Sequence, residues 1–362
     1  MTTRPTTLTI PKPDDWHLHL RDGAMMKAVV PYTARHFARA IVMPNLKPPI
    51  RTTADAAAYR ERILAALPEG VDFTPLMTAY LTDTTNPDDL EKGFRDNILF
   101  AAKLYPAGAT TNSDLGVTDV QGISHILDRL QRIGMPLSIH GEFVDPSVDF
   151  FDREAVFIER ILIPMRRSFP ELRIILEHLT TKTAVHYVMT EGQIGRLAGT
   201  ITPHHLWINR SAIFENGISP HLFCLPIAKR EEDRQALIQA ATSGASMIFA
   251  GTDSAPHPRT AKETANGAGG IFGAANALSL YAEIFDHANA LNKLGDFLST
   301  NGATFYKVPV NTASITLEKS PTPLPPLKPI LTEDGAEIVV FPHQSALSWR
   351  IIESSSSYAA QP

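Results

Sequence analysis

The chain has 362 residues, 44% of them hydrophobic and 20% charged, which is the composition of an ordinary globular protein and enough length for an α/β barrel as one unit. A formal net charge of −5, with Lys and Arg scattered, leaves no cationic surplus for a phosphate backbone, so nucleic acid is not expected as a partner. Cys224 is the sole cysteine, which excludes an intrachain disulfide. No apolar run approaches the roughly 18 residues of a membrane helix, and residues 1–13 lack an apolar signal core, so a cytoplasmic location is expected.

In chain order, the first expected strand is 15–20 (DWHLHL). A strand repeats every two residues, so His17 and His19 share one face, about 6.5–7 Å apart along the chain. Two imidazoles so placed suit a metal ion, and equally a hydrogen-bonded pair at a strand end. A second strand is expected at 40–43. The helix at 54–67 follows from its Ala, Arg, Glu and Leu content and stops at Pro68. Strands at 73–79 and 100–105 come next. Lys103 lies inside the second of these, in an apolar run where an ammonium would be desolvated. It either faces outward or pairs with an acid, or it stays neutral so that its nitrogen captures CO₂ and presents a two-oxygen carbamate to cations.

A helix at 119–133 leads to a strand at 137–140 that ends in His140. A helix at 152–169 precedes a strand at 173–177, which runs into His178. A helix at 181–189 and strands at 199–202 and 247–250 complete the pattern, and Asp253 follows the last strand. Eight β runs alternating with helices predict a TIM (β/α)8 barrel, a single domain over residues 1–310. No G-x-G-x-x-G or Walker loop supports the competing doubly wound sheet. Barrel active sites form at the C-terminal ends of the strands, where His140, His178 and Asp253 all fall. His36, His125, His186, His287 and His343 read as surface or packing residues and His221 as a loop residue; His204 and His205, near the rim, carry no assigned role. Residues 311–362 read as an extension packed on the barrel: a Pro-rich extended stretch at 320–329, a short strand at 337–341 and a frayed end at 354–362.

The ordered set H-x-H, strand lysine, His, His and Asp resembles the amidohydrolase superfamily. The runs PDDWHLHLRDG (13–23), VMPNL (42–46), AKLYP (102–106), CLPI (224–227) and GTDSAPH (251–257) resemble its shorter, bacterial and fungal dihydroorotases. That resemblance spans about residues 13–309. It implies that His17, His19 and Asp253 hold one Zn²⁺, that His140 and His178 hold another, and that N6-carboxylated Lys103 and a hydroxide bridge the two. It further implies that Arg21, Asn45 and His257 bind the substrate α-carboxylate, that Leu225 meets the pyrimidine ring through its backbone, and that Thr110 and Thr111 belong to a mobile covering loop. Gly269 stands at a substrate-contact position where bacterial members carry alanine; a backbone contact would survive the change. The implied reaction is the reversible cyclisation of N-carbamoyl-L-aspartate to L-dihydroorotate in pyrimidine synthesis, with Asp253 transferring the proton, in a cytoplasmic homodimer.

Two rival readings are weighed on the same residues. Hydantoinases and allantoinases share the metal set but resemble barrels with an added β-sandwich, partly built ahead of the H-x-H, and only 16 residues precede His17 here. A non-catalytic, dihydroorotase-like partner protein would typically have lost metal ligands, and all six residues are present.

Overall fold

The computed structural model describes residues 6–193, 195–215, 217–342 and 346–352. Strand β1 (Thr7–Pro11) leads into eight short strands: β2 (Asp15–Leu18), β3 (Arg39–Val42), β4 (Thr74–Tyr80), β5 (Ala101–Leu104), β6 (Leu137–Ile139), β7 (Ile174–Leu176), β8 (Leu197–Ile201) and β9 (Ile248–Ala250). Each pairs in parallel with the next in chain order. The ring closes between its first and last strands through a parallel bridge of Leu18 with Ser254. There the Asp253 N–H donates to His17 O (2.7 Å) and the His19 N–H to Ser254 O (2.9 Å). This is the predicted TIM barrel, each observed strand lying within a few residues of its expected position.

Side chains divide into two layers, as the two-residue repeat requires. Ala40, Val42, Ile174, Leu176, Ile248 and Ala250 face the surrounding helices. Ile41, Met43, Ile175 and Phe249 fill the inside of the ring together with Trp16 and Tyr306. Trp16 stacks on Tyr306 at 4.7 Å, and the helix Asn301–Tyr306 approaches so closely that a Cβ on Gly302 would lie 2.0 Å from the Trp16 indole nitrogen. β2 breaks the repeat. Asp15 pairs with Ala40 but Leu18 with Val42, so one extra residue is accommodated in β2. Such a bulge re-aims side chains. It lets Trp16 pack inside the ring while the next residue, His17, also points to the site.

Local chemistry sets the helix limits. Thr52 and Asp55 form a reciprocal capping box, so the helix begins at Thr53 and runs to Ala65. Asp119 accepts from the Gln121 N–H (2.9 Å), a turn that delays the helix expected from residue 119 until Ser124–Ile133. The helix expected over 152–169 is Arg153–Phe157, a π-turn at Ile158–Leu162, then Ile163–Ser168. Pro164 lacks the N–H that a continuous α-helix would need there.

The extended segment starts earlier than composition suggested. β10 (Ser314–Leu324) runs antiparallel to both β1 and β13 (Leu347–Ile352), making a three-stranded sheet from the two ends of the chain. β11 (Ile330–Leu331) and β12 (Glu337–Ile338) form a small hairpin. Among the described residues no helix is long and apolar enough to cross a membrane. His343 and residues 354–362 lie outside the described residues.

Candidate metal centre

The six residues read as metal ligands converge at one mouth of the ring. His17 is on β2 with His19 just past it, Lys103 is on β5, His140 and His178 follow β6 and β7, and Asp253 follows β9. The His17 and His19 rings lie 5.5 Å apart, His17 and His178 5.0 Å, and His140 and His178 4.8 Å. Donor atoms of His17, His178 and Asp253 lie within 4.8 Å of one another. Nε2 of His17 and of His19 both face Asp253 Oδ1, at 3.4 and 3.1 Å. His178 (φ 40°) and Asp253 (φ 44°) occupy the left-handed region, as does Arg21 at 60°. That conformation costs about 1–3 kcal/mol for a residue with a side chain and is held by surrounding structure at functional sites.

Lys103 faces the interior. It is fully buried, its Nζ has no hydrogen-bond partner and lies 5.0 Å from the Tyr105 ring, and it makes no salt bridge among the described residues. Burial pushes its ammonium down to about 8, against the pull of Glu177 and Asp253. A neutral amine is therefore accessible near neutrality, as carbamate formation requires. Burial also drives His19 and His178 well below the ordinary imidazole range, with the nearby cations adding to the effect. Neutral imidazoles carry the lone pair that a metal needs. Burial lifts the Asp253 carboxyl, opposed first by His17 and then by Lys103.

The donor set fits a metal centre. Nζ of Lys103 and Nδ1 of His178 and of His19 are buried without partners, which is costly unless something absent from the protein itself satisfies them.

Around these ligands lies a shell of residues not singled out from the sequence. Glu177 Oε2 lies 3.0 Å from His17 Nδ1 and accepts from Thr200 Oγ1 (2.6 Å), which in turn accepts from the His178 N–H (2.7 Å). Glu142 Oε2 lies 2.7 Å from His140 Nε2. Asp15 accepts from Thr252 Oγ1 (2.6 Å), the Thr252 N–H (2.8 Å) and the His17 N–H (3.2 Å). Carboxylates that orient ligand imidazoles are a general feature of metal sites. A signal was available: each of these acids stands within two positions of a ligand histidine.

At the mouth, Arg21 Nε donates to Pro256 O (3.0 Å) and its Nη2 lies 3.0 Å from His257 Nε2. His257 is pushed down to about 2, by burial first and then by Arg21. Asn45 Nδ2 donates to Thr111 O (2.8 Å), and Asn45 Oδ1 is buried without a partner. The segment carrying Thr110 and Thr111 is docked over the site: Thr111 Oγ1 donates to Gly269 O (3.2 Å) and Asn112 Nδ2 to Asn45 O (2.9 Å). Gly269 packs on Leu225, where an added Cβ would lie 2.9 Å from Leu225 Cγ. Arg21, Asn45, Thr111, His257, Leu225 and Gly269 thus form one linked rim. Thr110 supports it through its N–H, donated to Ser113 Oγ at 2.8 Å.

His204, His205 and Cys224 are buried together nearby, but both ring nitrogens of His205 are occupied, Nδ1 at Thr202 Oγ1 (2.7 Å) and Nε2 at Pro226 O (2.9 Å). His36 is also buried, with Nδ1 3.3 Å from Ala274 O, so it packs rather than lying at the surface. His125, His186 and His287 are exposed.

Comparison with known proteins agrees with this geometry. The amidohydrolase family model matches residues 10–321. A dihydroorotase from Erythrobacter litoralis is 56% identical over 345 residues, covering 95% of this chain and 99% of the relative. The chain belongs to the dihydroorotase group of the amidohydrolase family. A second dihydroorotase, from Synechococcus, is 53% identical over 98% of this chain and 100% of its own. The crystal structure of Campylobacter jejuni dihydroorotase superposes with a TM-score of 0.87 at 34% identity, covering 98% of this chain and 99% of that one. That of Saccharomyces cerevisiae dihydroorotase in complex with 5-fluoroorotic acid does so at 0.87 and 30%, covering 96% and 99%. L-Hydantoinase from Arthrobacter aurescens, at TM-score 0.74 and 17% identity over 88% of this chain and 78% of that one, shares the fold. Membership of the dihydroorotase group implies a metal centre, and the cluster of His17, His178 and Asp253 is a candidate group for it.

Proposed function

We propose that this protein is a dihydroorotase acting through a binuclear zinc centre: it interconverts N-carbamoyl-L-aspartate and L-dihydroorotate on the route to pyrimidine nucleotides. The observation that carries this reading is a fully buried, partnerless Lys103 among neutral histidines and Asp253, beneath a rim that presents Arg21 to an anion. His17, His19 and Asp253 would hold one Zn²⁺, His140 and His178 the other, with N6-carboxylated Lys103 between them. Such a centre supplies activated water near neutral pH and polarisation of an amide carbonyl.

The protein's own residues do the rest. Arg21 offers a planar fork to the substrate carboxylate, and with Asn45 and His257 it orients the acidic end of the molecule. In the hydrolytic direction the ring C–N bond breaks as water adds to the carbonyl carbon. Asp253 takes the proton from the attacking water and delivers it to the departing ring nitrogen; ring closure reverses the path. Main-chain groups at Leu225 and Gly269 meet the ring edge. The docked segment at Thr110 and Thr111 sequesters the substrate, which strengthens these interactions by excluding water. The same reading takes residues 1–310 as the catalytic unit, residues 311–362 as an extension packed on it, and the protein as a cytoplasmic homodimer.

The test is zinc content together with hydrolysis of dihydroorotate. Two zinc ions per chain with turnover are expected, and Asp253→Asn should retain protein-bound zinc while losing on the order of 10²–10⁴-fold in turnover. A zinc-loaded protein inert toward dihydroorotate would refute the assignment. It would favour a non-catalytic partner role.

A further inference from the structure

Lys262 ends the short helix Arg259–Lys262 and is buried. Its Nζ donates to three carbonyl oxygens: Phe223 (2.8 Å), Ala268 (2.9 Å) and Gly270 (2.6 Å). An ammonium has three N–H bonds, so its donors are fully used, and among the described residues it makes no salt bridge with a carboxylate. The three carbonyls belong to two separate stretches of main chain. Phe223 stands two residues before Leu225, and Ala268 and Gly270 flank Gly269.

Other contacts tie the same two stretches together. The Gly270 N–H donates to Phe223 O at 3.0 Å. The Gly269 carbonyl receives Thr111 Oγ1 at 3.2 Å and lies 3.2 Å from His257 Nε2. Leu225 and Gly269 meet without slack, since even a methyl group on Gly269 would displace Leu225. Without the cation, three carbonyl dipoles, that of Gly270 buried and those of Phe223 and Ala268 part-buried, would converge with their negative ends together. They would separate by admitting water or by moving apart.

We infer that Lys262 is a positioning residue for the substrate: its ammonium clamps the Leu225 and Gly269 main chain to each other and so sets the shape of the ring-binding edge. This rests on the dihydroorotase reading of that edge. Lys262 touches none of the six proposed metal ligands, and its effect falls on substrate binding.

Lys262→Met removes the three donors at nearly constant length. The expected result is a KM for dihydroorotate raised roughly tenfold or more, with kcat within about threefold and zinc content unchanged. Lys262→Arg, which keeps a cation with several donors, should recover part of the KM. Should the Met variant fail to fold, Lys262→Gln keeps two N–H donors and reads the same split. A lowered melting temperature with an unchanged KM in the folded variant would overturn the inference, because a purely structural lysine behaves that way. Wild-type protein that carries zinc but does not hydrolyse dihydroorotate would instead overturn the underlying reading, and this inference with it.

Discussion

Replacing Glu177 with glutamine changes one charge and almost no volume at a buried position between the two proposed halves of the metal centre. Glu177 Oε2 faces His17 Nδ1 at 3.0 Å and accepts from Thr200, and Thr200 accepts from the main chain of His178. In Glu177→Gln an amide oxygen in the place of Oε2 can still face His17 and accept from Thr200, because that one atom meets both, and the amide nitrogen takes the place of Oε1, which has no partner. What disappears is the ionic character of the contact. A hydrogen bond to a charged group contributes about 1.5–3 kcal/mol and a neutral one about 0.5–1.5 kcal/mol, so the loss is about 1–1.5 kcal/mol. That corresponds to roughly 5- to 15-fold weaker metal binding, at the lower end of the 10–100-fold typical for outer partners of metal ligands. The assay is zinc retention against graded chelator, with circular dichroism confirming the fold. A retention curve superimposable on wild type would refute the argument that the Glu177 charge strengthens His17 as a ligand.

Further perturbations report on other parts of the site. Lys103→Ala should lose most bound zinc, and short carboxylic acids such as propionate should restore part of it by standing in for the carbamate; full zinc occupancy without them would remove Lys103 from the centre. Arg21→Met should raise KM for dihydroorotate by roughly 10- to 150-fold while leaving zinc in place, the loss expected for a charge-assisted carboxylate contact of about 1.5–3 kcal/mol; an unchanged KM would free Arg21 of that role. His36 is buried neutral, its imidazole pushed down to about 4 by burial, against the raising effect of the contact with Ala274 O. The unfolded chain, titrating near about 6.5, binds a proton that the folded one refuses, so stability should fall as pH drops from about 6.5 towards about 4, by about 3 kcal/mol in total. Urea melts of wild type and His36→Gln across that range test this, since the variant should lose that part of the slope.

The barrel was legible because its strands are short apolar runs that end in polar residues, a local pattern. The six proposed ligands were legible for the same reason: His140, His178 and Asp253 each stop such a run, and Lys103 interrupts one. What escaped was set by distance along the chain or by backbone geometry. No local signal tells Thr7–Pro11 that it will pair with Ser314–Leu324, because the pairing joins segments roughly 300 residues apart and is written in neither of them. The bulge in β2 depends on how Leu18 registers against Val42, so Trp16 could not be placed inside the ring from its spacing to His17. The turn at Asp119 and the proline at 164 carry clear chemistry, which shortens one expected helix and interrupts the other. Lys262 lies in a polar segment with nothing in the sequence to single it out; the carbonyls gathered around it give it its role.

The bridge of Leu18 with Ser254 has a consequence for how the site comes into being. It is the seam of the cylinder, joining stretches some 235 residues apart in the chain, as the contact of Thr252 with His17 O shows. His17 and His19 sit on one lip and Asp253 on the other, so a cation held by all three, as proposed, would act as a rivet across this joint. Metal affinity and completion of the cylinder then become one equilibrium. On that reading, stripping the cation would loosen the ring where it is least supported by neighbours in sequence, and a chain still short of residue 253 would have no second lip to fasten.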